Sequence, residues 1–270
     1  MAQSAAEGSG LGVLLRGLGI QRRVLGALMV RHLIEEFGRS NVGFLWIVIT
    51  PLLLCSGVLV VRSLIMNPID HGVSLIAIIL SGYLPLTLFR HLTNGGVFLL
   101  RRNAGLLYHR HVTLLDTLLA MVGLETIACT VAFVLVYWVL LMLGLVDPIA
   151  DYGLVASGWL AMAFLSAGIG ASFAVLTEIY ERSDRFIQPA QYLILPVCGF
   201  MFMVDWLPLY VQKLAWWMPT VHCYEMIRAG MFGNGIVTHY DIWYPLLWGL
   251  VLFAWSIPRL EAAREKLHFG

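Results

Sequence analysis

The sequence predicts an all-α membrane protein. Six transmembrane helices are joined by an N-terminal amphipathic interface helix, a short cytoplasmic helix between spans two and three, and two short re-entrant helices on the external side before the last span. Two observations carry this reading. Of 270 residues, 60% are hydrophobic and only 12% are charged, roughly half the charged share of a soluble domain, and the mean hydropathy is +0.83. The charged residues also divide the chain into uncharged stretches long enough to cross a hydrocarbon core about 30 Å thick. Residues 1–270 therefore read as one membrane domain. A formal net charge of +1 excludes a nucleic-acid partner, which would need a basic phosphate-binding face.

The elements follow in chain order. In residues 11–39, Leu25, Leu28, Met29 and Leu33 recur at helical spacing while Arg31 and Glu35 form an i,i+4 pair on another flank, the pattern of an interfacial helix. Arg16, Arg22, Arg23 and Arg31 interrupt any apolar core of a secretory signal, so the first span is expected to stay in the mature protein. Uncharged stretches of 22, 18, 21, 26, 19 and 17 residues at 40–61, 72–89, 126–146, 152–177, 186–204 and 242–258 give six spans. Between spans two and three, residues 99–111 alternate Arg101, Arg102, His109, Arg110 and His111 with Leu106, Leu107 and Tyr108. That is a short helix with one sticky face, shaped to dock a partner. Residues 205–235 are too polar for a span yet rich in aromatics (Trp206, Tyr210, Trp216, Trp217, Tyr224, Phe232) and broken by Pro208 and Pro219. Two short external helices dipping back into the bilayer fit this composition.

Orientation follows from the cations. With both termini inside, fourteen of the 17 Lys and Arg residues face the cytoplasm and only Arg62, Lys213 and Arg228 lie outside, a strong positive-inside asymmetry.

Several chemistries lack their residues. No G-x-S-x-G nucleophile elbow and no H-E-x-x-H zinc motif occurs, and with Lys213 and Lys266 as the only lysines no Walker A sequence is possible. Cys55, Cys129, Cys198 and Cys223 are too far apart for a CxxC site and read as packing residues. Glu125 is the one acidic residue expected deep in a span, with Asp116 nearer the end of the same helix; a proton relay would need partners that no other stretch clearly offers. A membrane-embedded enzyme of lipid or glycan metabolism stays open as the rival from another class.

Residues 31–51 read RHLIEEFGRSNVGFLWIVITP. This resembles the signature that opens ABC-2 type polysaccharide-export permeases, with Gly38, Arg39, Ser40, Gly43, Trp46 and Pro51 matching and Phe37 in place of the usual tyrosine. Residues 218–230, MPTVHCYEMIRAG, are similar to the family's N-P-x-x-H-x-x-E-x-x-R segment; Pro219, His222, Glu225 and Arg228 fit, and Met218 departs from the asparagine. The resemblance covers nearly the whole chain. Its length and lack of extra domains look most like the capsule branch, with O-antigen and teichoic-acid permeases as the alternative, and export of lipids or small amphiphiles as another.

The resemblance implies a transporter permease rather than an enzyme, in the bacterial inner membrane, with no cofactor in this chain. Its partners would be a second copy, two ATP-binding cassette subunits carrying ATP and Mg, a periplasmic adaptor, an outer-membrane polysaccharide export protein and a lipid-linked polysaccharide. Spans one and five would line the channel. Aromatic rings stack on sugar faces, which nominates Trp46, Tyr83, Tyr192, Trp206, Trp216 and Trp217, with Arg90, for the substrate path. Tryptophan and tyrosine also crowd membrane interfaces for unrelated reasons. His222, Glu225 and Arg228 lie three apart on one helix, as a gate or as local stabilisation of that helix. Arg31, Gly38, Arg39 and Pro51 mark the lipid boundary and the turn into span one. Arg101, Arg102, Leu107, Tyr108 and His109 would couple to the ATPase.

Overall fold

A computed structural model describes residues 10–37, 69–70, 73–99, 102–103, 113–180 and 182–268, with isolated helical residues at 49, 53, 56, 57 and 60. Its first helix, α1 (Gly10–Phe37), has 28 residues. Leu25, Leu28, Met29 and Leu33 are half-buried and His32 is buried, while Val30 and Ile34 on the other side are exposed. The apolar stripe therefore turns toward α3 (Leu114–Met142), where Met29 comes against Gly123. A small antiparallel hairpin, β1 (Ile69–Asp70) and β2 (Val73–Ser74), departs from the all-α reading; two-residue strands are too short to carry a periodic signal.

Helix α2 (Leu75–Val97) continues through Arg90 and His91, eight residues past the uncharged stretch that announced it. Helix α3 likewise begins twelve residues before its stretch, because Thr113 and Asp116 form a capping box: the Thr113 N–H donates to Asp116 Oδ2 (3.0 Å) and the Asp116 N–H to Thr113 Oγ1 (3.1 Å). Asp116 is thus a cap. Helix α4 (Tyr152–Ile179) starts where its stretch starts, with Asp151 Oδ1 accepting from the Leu154 N–H at 3.0 Å. These three helices are long and apolar enough to cross a membrane, and α8 (Trp243–His268) covers the last stretch. The first stretch, 40–61, lies almost wholly outside the described residues.

The fifth stretch departs from a single continuous helix. Residues 186–204 do not form one helix: α5 (Asp184–Ile194) has 11 residues and is followed by turns and bends. Pro196 has no N–H to continue the ladder, and Gly199 sits at φ +99°, open to glycine and strained for other residues. Beyond it lie a 3-10 turn at Val204–Trp206, α6 (Leu209–Ala215) and α7 (Pro219–Phe232), which Pro219 opens at its first turn.

Helix α4 is the hub, packed against α2, α7 and α8. Its small residues allow this. A Cβ on Gly96 of α2 would strike the Gly170 backbone, one on Gly170 would come 2.5 Å from the Leu92 carbonyl oxygen, and one on Gly158 would meet the Ile227 nitrogen of α7 at 3.0 Å. Between helices in lipid there is no hydrophobic driving force, so such close backbone approach supplies the attraction.

The molecule has two distinct ends. At one, Val73, Val146, Ile149, Val155 and Met231 share a buried cluster, and the Asp151 N–H donates to the Gly230 carbonyl at 2.8 Å. At the other, Leu99, Leu118, Met121, Val175 and Leu260 pack together. Arg102, Arg182, Arg185 and Arg259 all lie within ten residues of that second cluster in the chain.

Candidate functional site

Every residue from Thr220 to Met231 is buried, and three polar side chains of this stretch of α7 each hold a different segment. His222 stands 3.0 Å from the Trp216 carbonyl at Nε2 and accepts the Asp241 N–H at Nδ1, also at 3.0 Å. A ring with its hydrogen on Nε2 satisfies both partners. Glu225 accepts the Val204 N–H on Oε1 (3.2 Å) and the His239 N–H on Oε2 (3.0 Å). Arg228 donates through Nη1 to the Phe202 carbonyl and through Nη2 to the Phe200 carbonyl at 2.9 Å. Its guanidinium stands 3.9 Å from Glu225 Oε1 and 5.6 Å from the centre of the Tyr224 ring. Burial pushes the Glu225 carboxyl above its ordinary range, and the His239 N–H, Arg228 and the Val204 N–H pull it back. The three residues named as a gate thus sew residues 200–204, 216 and 239–241 onto α7.

Three path candidates lie at this end. Trp216 sets its edge against the His222 ring, centroids 5.2 Å apart. The indole of Trp217 is exposed, and its carbonyl accepts the Tyr244 hydroxyl at 3.1 Å. Trp206 is half-buried and, like the half-buried Tyr83 of α2, packs on the main core. Trp46 lies outside the described residues.

A second group forms where α5 runs back along α2 in the opposite sense. Gln188 donates to Asn94 Oδ1 (3.2 Å), Arg90 donates from Nη2 to the Tyr192 hydroxyl (3.0 Å), and Phe200 lies against Gly82. The Arg90 guanidinium also stands 5.1 Å over the Tyr192 ring. Phe186 and Leu193, on the far side of α5, are 76% and 77% exposed. Helix α5 thus turns the amides of Gln188 and Gln191, with Ile187, toward the protein and leaves large apolar side chains facing away from it, unlike a helix on a soluble protein. The structure brings together Arg90 and Tyr192, two path candidates. Asn94, Gln188 and Gln191 were not among the candidates, since single amides in an apolar run carry no motif; only the four-residue spacing of Gln188 and Tyr192 hinted at a shared face.

Glu125 has the partner that the sequence reading left open. His91 Nδ1 of α2 lies 2.9 Å from Glu125 Oε2, and Cys129 completes a group whose donor atoms lie within 4.8 Å of one another. The hydrogen bond accounts for the pair's geometry. His91 escaped notice because Arg90 ended the uncharged stretch one residue earlier. Of the remaining candidates, Arg31 is half-buried in α1, and Arg102 is exposed with its guanidinium 5.9 Å over the Phe98 ring. Gly38, Arg39, Pro51, Arg101, Leu107, Tyr108 and His109 lie outside the described residues.

Lipid-length helices packed through glycine, with polar side chains buried between them, define a helical integral membrane protein. No family model matches the chain. It is 35% identical over 240 residues, 89% of its own length and 91% of the relative's, to the capsule polysaccharide export inner-membrane protein CtrC of Neisseria meningitidis serogroup B. It is 31% identical over 237 residues, 88% of its length and 89% of the relative's, to the capsule polysaccharide export inner-membrane protein BexB of Haemophilus influenzae. The polysialic acid transport protein KpsM of Escherichia coli is 25% identical over 238 residues, 86% of this chain and 91% of that protein. The chain belongs to the family of capsule polysaccharide export inner-membrane proteins.

Proposed function

We propose that this chain is the membrane permease of an ATP-driven exporter that moves lipid-linked capsular polysaccharide across the bacterial inner membrane. The observation that carries the proposal is near-full-length kinship, 35% identity covering 91% of a protein named for capsule polysaccharide export. In this reading the chain moves its substrate and makes no covalent change. Two copies form a homodimer with both termini in the cytoplasm, and each docks a separate subunit that holds ATP and Mg. Closure of those subunits pushes on residues 99–111, where Arg101, Arg102, Leu107, Tyr108 and His109 form the contact. A periplasmic adaptor and an outer-membrane export protein complete the route. Arg31, Gly38, Arg39 and Pro51 receive the lipid carrier at the boundary.

The geometry supports a division of labour among the other candidates. Arg90 of α2 and Tyr192 of α5 meet where the two helices run side by side, which suits a sugar path. Tyr83, Trp206, Trp216 and Trp217, with Trp46, supply aromatic surface along it. His222, Glu225 and Arg228 hold the external cap in register, since their bonds all end on protein groups. Deleting the gene and locating glycan by electron microscopy tests the function. Loss of surface glycan with polymer accumulating in the cytoplasm is expected; unchanged surface glycan with no internal polymer would overturn the proposal in favour of small-amphiphile export or enzyme activity.

A further inference from the structure

Arg90 is the only Lys, Arg, Asp or Glu of α2, and at 1.5 Å per residue it lies about 22 Å along that helix. A cation at membrane depth is costly unless something neutralises it. Among the described residues, Arg90 contacts only Tyr192, a neutral side chain, through one hydrogen bond and its ring face, and the ion pairs found form elsewhere. Most of the five guanidinium N–H groups are thus unspent. Tyr192 touches the guanidinium at its hydroxyl and at its ring and so restricts the fork, a preorganisation that bidentate binding of an oxyanion uses. Tyr192 accepts from Arg90, so its own hydroxyl hydrogen remains to donate.

Nearby groups are donors as well. Asn94, one turn on, uses its oxygen to accept from Gln188, which leaves its amide hydrogens. Gln191, beside Tyr192 on α5, is only 6% exposed, and its Nε2 has no partner among the described residues. A buried amide left unsatisfied is uncommon and points to a missing acceptor. A restricted cation, a buried orphan donor and two further donors, with no carboxylate paired to them among the described residues, make a site suited to a negative oxygen group.

We propose that Arg90, Tyr192, Gln191 and Asn94 form a subsite for the oxyanion, carboxylate or phosphate, of an acidic polysaccharide in transit. This rests on the polysaccharide-export reading and adds to it the residues that hold the polymer's acidic groups. A neutral tyrosine resting on the guanidinium is displaced more readily than a carboxylate would be, so the anion is held without being trapped.

The test uses the full chain in nanodiscs of phosphatidylcholine, titrated with tetragalacturonate and with its fully methyl-esterified form. Tetragalacturonate is expected to bind saturably and at least tenfold more tightly than the ester. Arg90→Gln should weaken the acid about tenfold and leave the ester unchanged, with Arg90→Lys intermediate because it keeps charge and loses the fork. Tyr192→Phe, at a side chain 55% exposed and so safe for folding, should weaken the acid severalfold. Equal binding of acid and ester, unaffected by Arg90→Gln, overturns the subsite and leaves the export reading standing. If neither sugar binds, the subsite is overturned, and the location of glycan in the gene deletion decides the export reading separately. In discs containing phosphatidylglycerol, native mass spectrometry counts retained lipid. Should Arg90→Gln lose that lipid while tetragalacturonate binding stays unchanged, the anion is a lipid headgroup and the polymer subsite is overturned.

Discussion

Glu225 spends each carboxylate oxygen on a backbone N–H from a distant segment, Val204 on one side and His239 on the other. Glutamine at 225 retains one acceptor oxygen, so one of those N–H groups would face an amide NH2. A buried donor left unsatisfied costs about 1–3 kcal/mol, and Glu225→Gln is expected to lower thermal stability by that much in detergent. Arg228→Met removes the donors to Phe200 and Phe202 and leaves Glu225 without its cation, a loss of roughly 3–5 kcal/mol. If these residues hold the cap, export falls in step with stability in both variants. A Glu225→Gln protein that melts normally and fails to export would instead assign Glu225 to substrate. The sequence foreshadowed only part of this. Spacing of three residues announced the Glu225 and Arg228 pair, yet that contact is the long one at 3.9 Å. The shorter bonds run to residues 14 to 28 positions away, beyond what local spacing can express.

Among the helices, small residues decide how closely the chain can pack. Gly170 of α4 faces the Leu92 carbonyl of α2, where an added methyl would stand 2.5 Å from that oxygen. Neither backbone can yield without parting the helices, so Gly170→Ala is expected to destabilise by about 1–3 kcal/mol, the cost of overpacking. Gly26, exposed on α1 with nothing within 4 Å of an added Cβ, provides the opposite case. There alanine should stabilise by roughly 0.5–1 kcal/mol through backbone entropy alone. Thermal unfolding of the two variants measures both, and equal shifts would refute the close crossing of α2 and α4. Helix α4 was legible almost to the residue, because Asp151 caps it and an uncharged run fills it. Helix α5 was not. A count of uncharged residues passes over Pro196 and Gly199, which carry no charge and still end the helix.

For the molecule as a whole, the open variable is which end faces the cytoplasm. The sequence assigns fourteen cations inside and three outside, and the structure takes one from each side, Arg90 into α2 and Arg228 into bonds with backbone carbonyls, which leaves the asymmetry standing. Arg102, Arg182, Arg185 and Arg259 belong to the end opposite the α7 cap, and cations near span ends are retained on the cytoplasmic side. Single cysteines read this out. Cys129, Cys198 and Cys223 are buried and should stay silent, and Cys55→Ser clears the remaining thiol. Cysteine at Trp217, 78% exposed, is expected to react with a membrane-impermeant maleimide in spheroplasts, whereas cysteine at the exposed Arg185 should react only after lysis. The reverse pattern would put the arginine-bearing end outside. On the proposed reading, the surface that a cytoplasmic ATPase pushes would then be the α7 cap, and residues 99–111 would lose the coupling role proposed for them.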